Sequence, residues 1–103
     1  MSEESTLREL SPIDLSVAGR LRRDPDFRRE WFRAELEESV PASFKALRER
    51  RKMTQGELAR AINTKQPAIS RFEKSSEAVW EFQNLLRMAE AMNARLRVVI
   101  EAL

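Results

Sequence analysis

Apolar side chains return at helical spacing in six stretches of the chain, then alternate at its C-terminal end. Ser11 and Pro12 mark the first start: a capping residue, then a proline whose missing N–H costs nothing in a first turn. Ile13, Val17 and Leu21 follow as one stripe. Asp24 and Pro25 stop this helix and open the next. In PDFRREWFRAELEES, Phe27, Trp31 and Ala34 share one face, and Phe32, Leu36 and Val40 share a neighbouring one. Val40 and Pro41 predict a second break. Ser43 then caps a third helix, SFKALRERRK, which buries Phe44 and Leu47 and ends in a basic cluster.

Thr54 caps a short fourth helix, TQGELARAI, with Leu58, Ala59 and Ile62 inward. Asn63 follows where the chain must turn sharply, and Asn is the side chain that best tolerates a left-handed helix end. The fifth helix, QPAISRFEK, turns Ala68, Ile69 and Phe72 inward. A polar stretch, SSEA, leads to WEFQNLLRMAEAMN, where Trp80 reads as a core anchor and Phe82, Leu85, Leu86, Ala89 and Met92 form a face. In RLRVVIEAL the period changes: Leu96, Val98 and Ile100 alternate with Arg97, Val99 and Glu101. That pattern predicts a strand over about 95–101. With nothing to pair in a helical chain, its open backbone groups invite the same strand of a second copy.

At 103 residues the chain is one small domain, at most with an arm attached. It contains neither Cys nor His. This removes thiol chemistry, disulfides, imidazole catalysis and nearly every zinc site, so neither a metal nor a cofactor is expected. Glu35, Glu37 and Glu38 lie on a solvated helix face without a metal partner or cleft, and no catalytic site is visible: the chain is not expected to be an enzyme. No apolar stretch approaches the roughly 20 residues of a membrane span, and Met1–Leu10 is too polar for a signal peptide. Cytoplasmic placement follows as the expectation, with no membrane partner. Net charge is only +2. Its distribution says more: residues 43–74 carry nine Lys/Arg against three Asp/Glu, whereas residues 1–42 carry seven against ten.

That basic stretch holds an odd helix start, in which Lys65, Gln66 and Pro67 lead while Ile69 and Phe72 sit inside. The surrounding RERRKMTQGELARAINTKQPAISRFEK is similar to the helix-turn-helix of the XRE/Cro (lambda-repressor-like) family. Thr54, Gln55, Leu58, Ala59, Ile62, Gln66, Ile69, Ser70 and Glu73 carry the likeness, which covers about residues 43–92. DPDFRREW before it and AEAMNARLRVVIE after it resemble the HigA-like and HipB-like antitoxins of type II toxin–antitoxin operons. The resemblance implies a mainly α fold, a lambda-repressor-like helix-turn-helix bundle. It implies an N-terminal helical extension over 1–42 (dimer or toxin contact), a DNA-binding domain over 43–93 and a C-terminal strand over 94–103 that pairs in a dimer.

In that family the first helix of the motif crosses the phosphate backbone and the second enters the major groove, leading turn first. By this resemblance Lys65 reaches a phosphate or a guanine, Gln66 bonds adenine N6 and N7, and Arg71 reaches guanine O6 and N7. Ser70 donates to a base or a phosphate. Pro67 and Ala68 offer only apolar contact to a thymine methyl, and Ala68 also suits packing. Gln55 bonds a phosphate and braces Gln66, while Thr54 holds the same backbone. Arg48 and Glu73 match a buried salt bridge of the family and belong to the scaffold. Phe27, Trp31, Phe32 and Leu36 suit a toxin or dimer contact, or a helix packed on the core; Leu96, Val98 and Ile100 suit the dimer strand.

The expected function is a sequence-specific DNA-binding repressor, a homodimer on a palindromic operator in double-stranded DNA at the nucleoid. The antitoxin likeness adds a cognate toxin and repression of the chain's own promoter. A free-standing or phage-type repressor, and a protein-interaction module that keeps the scaffold without binding DNA, stay open beside it.

Overall fold

The computed structural model describes residues 12–74 and 81–103, with side chains from residue 16 onward. Ser11, the Ile13 side chain, the SSEA loop and Trp80 lie outside the described residues. The chain divides into two compact units, residues 1–36 and 37–103. The described residues form five helices: α1 (Pro12–Arg23), α2 (Pro25–Arg50), α3 (Gln55–Ala61), α4 (Gln66–Lys74) and α5 (Phe82–Ala91).

In the first unit, Asp24 ends one helix and caps the next. Its backbone N–H donates to the Arg20 carbonyl at 2.9 Å, while its carboxylate accepts the Phe27 N–H at 3.1 Å. That hydrogen bond, with help from nearby Arg20, holds the Asp24 carboxyl below its ordinary range. The Arg20 guanidinium lies 4.1 Å from the centre of the Phe27 ring, and Phe27 meets Trp31 at 5.7 Å between ring centres.

The break expected at Pro41 is absent. α2 runs 26 residues with Pro41 inside it, so Ser43 is an exposed mid-helix residue rather than a cap. A proline here cannot donate to the preceding turn and costs about 3 kcal/mol in a helix interior. Packing outweighs that local cost. Pro41, Phe44 and Arg48 recur on one buried face, and Val40 and Leu47 pack against the same core.

That core, in the second unit, gathers Phe44, Leu58, Ala59, Ile69, Leu85, Met88, Ala89 and Met92, with Phe72 and Leu96 against its edge. Phe44 and Phe72 meet edge to face, 5.6 Å between centres, an arrangement favoured by the ring quadrupoles. The face of α5 is turned from the expected one. Leu85, Met88, Ala89 and Met92 point inward, whereas Phe82 and Leu86 are 58% and 39% exposed.

Three helices end alike, each on a non-glycine residue in the left-handed region: Lys52 (φ 57°), Asn63 (φ 59°) and Asn93 (φ 53°). At each end two backbone N–H groups fold back. Lys52 donates to Glu49 and Met53 to Arg48, Asn63 to Arg60 and Thr64 to Ala59, Asn93 to Glu90 and Ala94 to Ala89. These paired bonds satisfy carbonyls that a helix terminus otherwise leaves open.

The expected strand is not formed. No strand is present among the described residues, and residues 94–103 follow no regular secondary structure. The reason is physical: a strand exists through its ladder, and this chain supplies no second strand to complete one. Leu96 packs against the core, while Val98 and Ile100 stand 66% and 94% exposed. Pairing across a dimer is therefore not a property of the single chain.

Candidate nucleic-acid interface

α3 is only seven residues long, and its start is tightly specified. Thr54 adopts an extended conformation, its hydroxyl accepts the Glu57 N–H, and the Glu57 carboxylate accepts the Thr54 N–H in return. Both bonds measure 3.0 Å, a reciprocal capping box. The Thr54 backbone bond is the chief reason the Glu57 carboxyl sits below its ordinary range.

The left-handed turn at Asn63 delivers the chain into α4, which packs against α3. Ile69 is buried and Phe72 half-buried, so the opposite edge faces solvent. Lys65, Gln66, Pro67 and Arg71 are exposed, and Ser70 is half-buried. Ala68 is half-buried as well, lining a shallow cleft with Ile62, Phe72 and Leu85. The exposed set therefore comprises a cation, an amide, a proline ring and a guanidinium on the leading edge of one short helix.

Behind that edge runs a continuous hydrogen-bonded chain. Arg48 Nε and Nη2 donate to the two oxygens of Glu73 at 2.7 and 3.0 Å, and Arg48 Nη1 donates to the Met53 carbonyl at 2.7 Å. Gln55 Nε2 donates to Glu73 Oε1 at 2.9 Å. Gln66 Nε2 donates to Gln55 Oε1 at 2.7 Å. The ion-paired side chains are almost sealed, 11% exposed for Arg48 and 3% for Glu73. Burial pushes the Glu73 carboxyl up, but hydrogen bonds from Arg48 and Gln55 and the charges of Arg48 and Lys45 outweigh it, so it is held below its ordinary range. Bonding to Glu73 likewise raises Arg48.

The basic cluster is not uniformly available to a ligand. Arg51 Nε donates to the Met92 carbonyl at 2.9 Å, tying the end of α2 to the end of α5. Arg48 is spent in the same way on scaffold contacts. The bond from Gln55 to Glu73 had no sequence signal, because the two residues stand 18 positions apart and neither periodicity nor charge pattern pairs them. In the first unit, Trp31 and Leu36 are exposed and Phe27 and Phe32 half-buried; Phe32 and Leu36 line an open groove with Arg28, Arg29 and Arg33.

A model of the family described as Helix-turn-helix matches residues 44–99. Among curated proteins, Antitoxin HigA1 of Mycobacterium tuberculosis is similar, in the CDC 1551 / Oshkosh strain and in the ATCC 25618 / H37Rv strain. Each is 33% identical over 85 residues, which is 82% of this chain and 56% of the relative. The chain thus spans about half the length of the curated relatives it matches. No solved structure matches it.

Proposed function

The chain belongs to the helix-turn-helix family, and from that premise we propose that it is a sequence-specific DNA-binding repressor, acting in the cytoplasm as the antitoxin of a type II toxin–antitoxin operon. It neutralises its toxin and represses its own promoter. The observation that carries the DNA-binding reading is the exposed edge of α4, where Lys65, Gln66 and Arg71 face solvent opposite a buried Ile69. A helix entering the major groove needs this division: apolar toward its own domain, hydrogen-bonding toward base edges.

In this reading Gln66 reads adenine and Arg71 reads guanine. Lys65 contacts a phosphate or a guanine, Ser70 a base or phosphate, and Pro67 with Ala68 a thymine methyl. Thr54 and Gln55, at the start of α3, hold the backbone and fix register without reading sequence. Two copies bind a palindrome with half-sites roughly 34–36 Å apart, and the segment around Val98 and Ile100 pairs across the two-fold axis. The antitoxin role is supported by the printed name of the relatives. The exposed Trp31 and Leu36, with Phe27 and Phe32, are the proposed toxin or dimer contact.

Selection from a random duplex pool tests the DNA reading. The wild-type chain enriches a palindrome, whereas Gln66→Ala/Arg71→Ala, which alters exposed side chains only, loses the preference and keeps its fold; an unchanged profile refutes the assignment. For the antitoxin role the measurement is co-purification with the product of the neighbouring reading frame. Recovery of no partner there favours a free-standing or phage-type repressor. A footprint at about 0.1 M salt that protects no upstream DNA favours a protein-interaction module.

A further inference from the structure

The C-terminus of α5 lacks the charge that a helix end calls for. Its last turn carries Glu90 and no cation, the wrong sign for the negative end of a helix dipole. The cation arrives from another helix. Arg51, one residue past the end of α2, donates from Nε to the Met92 carbonyl at 2.9 Å. Its Nη2 lies 3.5 Å from the next carbonyl, that of Asn93. Both chain segments turn beside this contact, at the left-handed Lys52 and Asn93. Beyond Lys52 the chain enters α3 through its cap Thr54, and beyond Asn93 it leaves as the tail, residues 94–103. One guanidinium thus ties the entry of α3 to the exit of the tail.

We propose that Arg51 is a positioning residue that fixes the direction of the tail against α3, and so sets the half-site spacing that a dimer accepts. This rests on the DNA-binding and dimer readings given above. Leu96 against the core is one attachment, about which the tail can pivot. The grip on Met92 and Asn93 is a second, and two points fix a line. A guanidinium suits the task because its planar fork can address two adjacent carbonyls, whereas an ammonium is a point charge. The leverage is large. Seven residues of extended chain, 97–103, reach about 23 Å, so a swing of about 10° at their root moves the far end by about 4 Å. One base-pair step is only about 3.4 Å. Spacing is thereby chosen by a side chain that never meets the duplex.

The test is a duplex pool in which the half-site enriched by the wild-type chain is repeated, inverted, at centre-to-centre spacings of about 8 to about 13 bp, bracketing one helical turn. The full wild-type chain should favour one spacing over its neighbours by about tenfold or more, because meeting any other deforms the duplex. In Arg51→Met, which keeps the stem of an exposed side chain, that preference falls to about twofold or less, while preference within each half-site is unchanged. Arg51→Lys, which keeps the charge without the fork, falls with it. A wild-type spacing profile in either variant overturns the proposal. Loss of half-site preference together with spacing makes Arg51 part of the binding surface itself and overturns its positioning role. A wild-type chain that enriches half-sites at no fixed spacing overturns the dimer reading, and one with no base preference overturns the DNA reading; the proposal falls with either. The tail's direction is also readable without variant or DNA. Residual dipolar couplings of the Ala94, Arg95 and Leu96 amides should fit the alignment of α5 in the wild type, and averaged couplings overturn the fixed exit.

Discussion

Replacing Arg48 with Met removes a charge from inside the domain while keeping the stem that fills its place. The partner left behind is Glu73, 3% exposed, with Gln55 as its remaining hydrogen-bond donor among those described. Glu73 has one escape, which is to take up a proton. From an ordinary value of 4.5, holding that proton at pH 7 costs about 3.4 kcal/mol, at about 1.36 kcal/mol per pH unit. The Met53 carbonyl also loses its donor, adding about 1 kcal/mol. The total, about 4 kcal/mol, agrees with the usual 3–5 kcal/mol for breaking a buried pair. It is a large share of the roughly 5–15 kcal/mol that holds a small domain together.

The route through protonation gives the prediction its test. In the wild type the Glu73 carboxyl is depressed, so its stabilisation is complete above about pH 4.5 and is lost as pH falls through the folded value. In Arg48→Met the folded carboxyl is raised above 4.5 instead, the folded state binds the extra proton, and stability rises as pH falls toward that value. Urea unfolding followed by circular dichroism should give a penalty of about 4 kcal/mol at pH 7 and about 2 kcal/mol at pH 5, since protonation at pH 5 costs only about 0.7 kcal/mol. Arg48→Met/Glu73→Leu, with no carboxyl to titrate, should show a smaller penalty that is equal at the two pH values. An Arg48→Met penalty that is the same at pH 5 and pH 7 refutes the reasoning, because the carboxylate left behind then tolerates its charge.

Lys52→Gly should stabilise the domain by about 1 kcal/mol in the same unfolding assay, because a β-carbon at φ 57° costs about 1–2 kcal/mol that glycine avoids; no gain means that the backbone relaxes freely there. Deleting residues 97–103 spares Leu96, which packs on the core, and should convert the proposed dimer to monomers in sedimentation. A truncated chain that stays dimeric moves the interface to another surface, with the exposed Phe82 and Leu86 of α5 the first to be substituted.

What could be read from the sequence was whatever short-range chemistry decides. Asp24 with Pro25, Thr54 with Glu57, and Asn63 each carry a local preference that no neighbour opposes, and each does locally what that preference predicts. The inward set of α3 and α4 followed because Leu58, Ala59 and Ile69 lie on one face with polar residues opposite. Pro41 misled because its local cost is outweighed by burial against elements distant in sequence. On α5, apolar residues occupy two faces, so the period alone could not say whether Phe82 and Leu86 or Met88 turned inward; the partner helices decide. Asn93 carries the same cue as Asn63, whereas Lys52 gave none for a left-handed residue. The terminal alternation described a capacity to pair, and pairing needs a partner outside the chain. Within the candidate interface, the leading edge of α4 was legible and the Gln55–Glu73 bond behind it was not, since long-range side-chain contacts leave no period.

The brevity of α3 ties the proposed binding surface to the interior of the second unit. Seven residues are too few to stay helical in water, even with a good cap, so the segment holds its shape only while Leu58 and Ala59 are docked. It cannot melt and reform apart from the interior. Amide hydrogens of α3 should therefore exchange through the same rare opening as those of α5 and of the part of α2 that lies in the second unit. In the proposed role, a grip on DNA would then last only as long as that docking holds.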